Sequence, residues 1–126
     1  MKVIVIDTEK NAPQIVETKG GLDEWKRLLK CNLIDIATMN IAGVSYDFIV
    51  DAEALNKPGG KVTAISSSKE PLLVGNLVIC NYNQEEGTEV TLTDADIKHI
   101  IDNLVILTED TTREDPARWI AVNNVS

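Results

Sequence analysis

The chain has 126 residues, 44% of them apolar and 25% charged, which is the composition of one folded globular unit and excludes global disorder. Twelve Lys and Arg against 20 Asp and Glu leave a formal charge of −8, so direct binding of nucleic acid is not expected. No apolar run approaches the ~18 residues of a membrane span and the opening MKVIVIDTEK lacks the long apolar stretch of a secretory signal, so a cytoplasmic single domain over 1–126 is expected, away from membranes.

The acidity is uneven. Residues 1–63 carry eight basic and nine acidic side chains, whereas residues 64–126 carry four and eleven. The excess gathers in pairs such as Glu85-Glu86, Glu109-Asp110 and Glu114-Asp115 between apolar segments. That pattern reads as a solvated surface, with an acidic docking patch or DNA mimic as the alternative.

In chain order, the β-branched run 2–7 predicts a first strand, and Asn11-Ala12-Pro13 a turn into a hairpin arm over 14–18. After Lys19-Gly20-Gly21, the residues Leu22, Trp25, Leu28 and Leu29 share one helical face, predicting a helix over 22–30. Alternation predicts strands over 32–38 and 45–51, the latter with Tyr46, Phe48 and Val50 as its core set. Residues 52–61, containing Asn56-Lys57-Pro58-Gly59-Gly60, read as a loop preceded by one helical turn, and 62–66 as a brief strand. The apolar stretch 72–80 reads as one central strand with Gly75 marking a bulge or close packing. An acidic turn follows over 83–89. Thr93 is a natural N-cap for a helix over 94–104, with Asp94 and Asp96 in its first turn. Residues 105–107 fit either a continuation of that helix or a strand, and 118–122 read as an edge strand. Strands, helix, strands, helix, without regular βαβ alternation, imply an α+β fold: a mainly antiparallel sheet of about five or six strands covered by two helices.

The residues point away from catalysis. His99 lies among Asp96, Asp102 and Asn103 at helical spacing, but no second histidine or nearby cysteine joins it, so it reads as part of a polar helix surface. Ser66-Ser67-Ser68 lack the nucleophile-elbow frame. Cys31 and Cys80 border apolar residues and read as buried thiols, neither a zinc set nor a disulfide framework. No enzyme, metal or cofactor is expected. Two Gly-Gly pairs, Lys19-Gly20-Gly21 and Lys57-Pro58-Gly59-Gly60-Lys61, could turn backbone N–H groups toward a phosphate, although tight turns account for both; the second, with two lysines, carries more signal.

Binding chemistry is better represented. Arg113 and Arg118 are two of the four cations after residue 63, and Trp119 follows directly. An arginine beside a ring can hold a phosphate while the ring stacks on a base. Tyr82 and Asn83 offer a second ring and an amide able to read a base edge. Arg113, Arg118, Tyr82 and Asn83 are therefore the candidate ligand-binding residues; the plainer alternative makes Trp119 core, pairs Arg113 with Glu109 or Asp110, and lets Tyr82 cover a strand end.

The segments Tyr46-Asp47-Phe48-Ile49-Val50-Asp51-Ala52-Glu53-Ala54-Leu55, Pro71 to Cys80 and Leu92-Thr93-Asp94 resemble a family of domains of unknown function found in phages, plasmids and other mobile elements of Gram-positive bacteria. The family frame has an Asp-x-Glu-Gly-Leu loop, in which Ala54 here replaces the usual glycine, and an Asn-Arg-Ala loop segment that is not evident near 58–64. In size, early hairpin and arginine-bearing C-terminal segment, the chain is also similar to phage anti-defence sponges of the Thoeris system. That resemblance implies homo-oligomers that bind cyclic ADP-ribose isomers without cleaving them. The resulting expectation is a non-enzymatic phage or mobile-element accessory protein that sequesters a small anionic, nucleotide-type signal to counter host defence. An acidic protein–protein inhibitor or DNA mimic, and a small structural or regulatory module, stand as alternatives. A homo-oligomer, most simply a dimer through Trp119 to Val122, completes the expectation.

Overall fold

The computed structural model describes residues 1–10, 12–83, 85, 88–109 and 114–126, with the backbone alone at Asn83 and Thr88. The fold is α+β, with two helices and two sheets among the described residues. The larger sheet has the order β2-β1-β7-β4-β3, from β1 (Lys2–Ile6), β2 (Gln14–Glu17), β3 (Ile34–Ile41), β4 (Val44–Asp51) and β7 (Leu77–Asn83), with β8 (Thr88–Val90) added to β7. The smaller has the order β6-β5-β10-β9, from β5 (Val62–Ile65), β6 (Pro71–Val74), β9 (Leu104–Thr108) and β10 (Arg118–Val122). All pairings are antiparallel except β10 with β5, which meet in parallel at Val122 and Ala64.

Strand alternation gives the larger sheet two apolar faces. Val3, Val5, Ile49, Val78 and Cys80 line one face and pack on Trp25 and Leu29 of α1 (Leu22–Leu29). Ile4, Ile6, Tyr46, Phe48, Leu77 and Ile79 line the other and meet the smaller sheet through Ala64, Ile120 and Val122, together with Ile100 of α2 (Asp94–Ile101). The layers are thus α1, the larger sheet, then the smaller sheet with α2. The expected core set of β4 holds on this second face, but Ile49 and Asp47 are buried on the first as well.

Both helices carry acidic residues in the first turn and basic ones in the last, as the helix dipole favours. Thr93 caps α2: its hydroxyl accepts from the Asp96 N–H at 3.1 Å, and Asp96 answers from the Thr93 N–H at 3.0 Å. α1 ends at Lys30, in a left-handed conformation with φ 57°.

Four expectations change. The apolar run 72–80 is two strands in two different sheets, because Gly75 at φ +87° turns the chain between β6 and β7. α2 stops at Ile101, and the apolar residues after it form β9. The end of the expected acidic turn, Thr88 and Glu89, belongs to strand β8. The segment 118–122 is not an edge: β9 pairs along it from Arg118 to Val122, and β5 lies on its other side. Trp119 to Val122 therefore packs within its own sheet. The last residues join the two sheets: the Val125 N–H donates to Ile65 O at 3.1 Å, while Asn40 and Ser126 exchange backbone bonds of 2.8 and 2.9 Å.

Candidate functional site

Tyr82 lies near the end of β7, paired with Glu89 of β8, and is 36% exposed. Alternation places it on the face of Val78 and Cys80, the α1 side of the larger sheet, whereas the smaller sheet lies against the opposite face. Tyr82 and Arg118 are therefore not brought together. The Asn83 backbone pairs with Thr88, while its side chain and the whole of Arg113 lie outside the described residues. Arg118 is exposed at the start of β10 and lines an open cavity of about 230 Å³ with Ile106, Trp119 and Ile120.

Alternation along β10 also separates Arg118 from its neighbour. Arg118 shares a face with Ile120 and Val122, and Trp119 takes the other. The cation over the Trp119 ring is Lys61, whose Nζ stands 5.4 Å from the ring centroid, within cation–π range. The indole N–H donates to Val62 O at 2.7 Å, which fixes the ring against the start of β5. Beside the ring opens a cavity of about 350 Å³ lined by Gly59, Gly60, Lys61, Val62, Glu109 and Trp119. The same glycines and Lys61 also line a cavity of about 200 Å³ on the side of Thr8, Lys30, Lys57 and Asn76. Two features that stand far apart in the chain, the lysine-flanked Gly59-Gly60 pair and Trp119, thus form one surface. Sequence separation hid this: the indole bond alone spans 57 residues.

The charges around the smaller cavity are mostly paired. Lys57 holds Asp51, and the Asp51 carboxylate raises the Lys57 pKa above its usual value. Lys30 Nζ lies 3.3 Å from Asp7 Oδ2. Burial pushes the Asp7 carboxyl up, but the Glu9 N–H and Lys30 pull harder, and the net shift is downward. Lys61, by contrast, stands over the Trp119 ring.

The first Gly-Gly pair serves structure and faces acids. The cavity at Lys19 and Gly20 is lined by Glu17, Asp23 and Glu24, a poor setting for an anion. Gly20 sits against Met1 and Trp25, where a Cβ would fall 2.9 and 3.3 Å from side-chain atoms.

His99 departs from its expected place on a solvated helix face. It is half-buried, its Nε2 lies 2.7 Å from Ile41 O, and its ring centroid is 6.3 Å from that of Tyr46. A carbonyl only accepts, so Nε2 carries the proton. The ring ties α2 to the end of β3. Among the described residues, no three His, Cys, Asp or Glu side chains are grouped to hold a metal ion. No helix among them is long and apolar enough to cross a membrane.

Comparison with known proteins yields one family. A domain of unknown function, DUF3846, matches residues 1–105, a span that ends before β10 and Trp119. No curated protein and no solved structure matches the chain.

Proposed function

The chain belongs to the DUF3846 family, and we propose that this member is a non-catalytic binder of a small anionic, nucleotide-type ligand, held where Lys61 meets Trp119. The observation that carries the proposal is the Lys61 ammonium over an indole face whose edge is already tied to Val62, beside a cavity of about 350 Å³. That volume falls within the range of small-molecule sites. A fixed ring offers a stacking platform and the cation offers charge to a phosphate. Arg118 lines the neighbouring cavity, of which Trp119 forms part of the wall, and supplies a second positive charge in an acidic protein.

Such binding is stoichiometric and needs affinity and abundance, not a stabilised transition state. The setting we propose is a phage or other mobile element, in which a cytoplasmic homo-oligomer captures a host defence signal; its support is the resemblance of the central segments and the chemistry of the groove.

Charge reversal tests the proposal. Lys61→Glu and Arg118→Glu should each weaken nucleotide binding at least tenfold in a folded protein, and Glu85→Gln should leave it unchanged. If function instead survives both reversals and falls on loss of Glu85 and Glu89, the acidic surface is the working one and the protein is an acidic inhibitor.

A further inference from the structure

The turn between the loop 52–58 and β5 leaves three consecutive backbone N–H groups, those of Gly59, Gly60 and Lys61, with no acceptor among the described residues. Their neighbours are satisfied: the Lys57 N–H donates to Ala54 O at 3.3 Å, and Lys61 O accepts from the Gly75 N–H at 2.8 Å. Gly59 has φ +72°, and the space where its Cβ would stand is open. At Gly60 a Cβ would fall 2.7 Å from Val74 Cγ1, so the chain runs close to β6 there and carries no side chain over its amide. Lys57 and Lys61 bracket the turn, and it borders both cavities described above.

We infer that this turn is a phosphate subsite: the N–H groups of Gly59, Gly60 and Lys61 receive phosphoryl oxygens, and the Lys61 ammonium swings from the Trp119 ring to the phosphate as the ligand's base takes its place. The inference rests on the nucleotide reading above and deepens it by setting the ligand's orientation. The turn carries the N–H donors and Trp119 the ring face, so the phosphate lies at the turn and the base at Trp119. Bare, consecutive amides beside an ammonium are the chemistry of oxyanion recognition. The ligand class that satisfies both ends is a nucleoside phosphate with an unobstructed base, in preference to a free nucleoside or an inorganic anion alone.

Backbone amide NMR on the full chain, combined with Trp119 fluorescence, tests this with three probes: inorganic pyrophosphate, adenosine and ADP. Trp25→Phe removes the second tryptophan's emission. Pyrophosphate should shift the amides of Gly59, Gly60 and Lys61 saturably and change Trp119 emission only by the small amount that follows from the Lys61 ammonium leaving the ring. ADP should shift the same amides, change the emission and bind at least tenfold tighter than pyrophosphate. Lys61→Gln should weaken both anions while leaving the rest of the spectrum in place. If pyrophosphate and ADP leave the three amides unmoved while ADP still changes Trp119 emission, the subsite is wrong and the nucleotide reading survives. If pyrophosphate moves the amides but ADP binds no tighter and changes Trp119 emission no more than pyrophosphate does, the subsite stands as an anion site and the nucleotide reading falls. If no probe moves either, both fall.

Discussion

The Tyr46 hydroxyl donates to Oδ1 of Asp96 at 3.0 Å, tying the interior of β4 to the first turn of α2. Oδ2 of the same carboxylate accepts from the Thr93 N–H at 3.0 Å, the Thr93 hydroxyl at 2.8 Å and the Asn81 amide at 2.8 Å. One side chain thus serves as helix cap and as the link between helix and sheet. Asp96→Ala should cost about 2–4 kcal/mol, from the lost cap and a stranded tyrosine hydroxyl. Tyr46→Phe should cost only about 0.5–1.5 kcal/mol, because the remaining donors still satisfy the carboxylate. Urea denaturation of the two variants checks the order, and equal losses would place Asp96 outside this linking role.

The same carboxylate makes stability depend on acid pH. Burial raises the Asp96 pKa, but the Thr93 N–H and hydroxyl, then Tyr46 and the His99 charge, outweigh it, so the net shift is below the ordinary 3.8. Asp7 is lowered likewise, against its burial, by the Glu9 N–H and Lys30. A carboxylate with a lowered folded pKa contributes stability above its unfolded pKa and loses it as pH falls through the folded value. Stability should therefore hold from neutral pH to about pH 4 and decline below that. Melting temperatures of the Asp7→Asn, Asp96→Asn double variant should show a shallower decline below pH 4 than those of the parent chain. An unchanged acid slope would assign that dependence to other groups.

Gly75 is where the chain leaves one sheet for the other. Its φ of +87° disfavours any L side chain, and a Cβ would stand 3.2 Å from that of Ala54. Its carbonyl accepts from the buried Thr63 hydroxyl at 2.6 Å and its N–H donates to Lys61 O at 2.8 Å, so the turn has little room to relax. Gly75→Ala should destabilise the protein by about 1–2 kcal/mol, the cost of a left-handed residue with a side chain. The urea midpoint measures it; a loss no larger than that of Gly43→Ala, where the Cβ site is open, would show that the Ala54 contact adds nothing.

Neither thiol is poised to react. Cys80 is fully buried, and burial first, then the charges of Asp47 and Glu89, push its pKa up to about 12. Burial and Asp51 also raise that of half-buried Cys31. With a disulfide reagent at pH 8, Cys31 should label more slowly than a free thiol and Cys80 should wait for unfolding. Rapid labelling of Cys80 in the native protein would contradict its burial against α1.

Local pattern was enough to read most elements. The periodicities around Trp25 and Ile100, the Thr93 cap and the β-branched run 2–7 are local signals, and the structure follows them. What stayed hidden depends on contacts between distant segments. The run 72–80 is apolar on both sides of Gly75, so composition cannot mark the change of sheet; only the Gly75-Asn76 pair hints at it. His99 seemed exposed because its partner, the Ile41 carbonyl, is 58 residues away. The candidate site behaves likewise. Trp119 and the Gly59-Gly60-Lys61 turn each stood out, but their meeting depends on β10 lying beside β5, and strand alternation replaces Arg118 with Lys61 as the cation over the ring.

Isothermal titration calorimetry against a panel of cyclic and linear nucleotides, cyclic ADP-ribose isomers included, tests the central claim most directly. The account predicts saturable binding of at least one member, with the ligand recovered chemically unchanged. Trp119→Ala should weaken that binding by about 5- to 150-fold, the equivalent of ~1–3 kcal/mol of lost base stacking. No heat with any member of the panel, or binding that Trp119→Ala leaves intact in a folded protein, would contradict it.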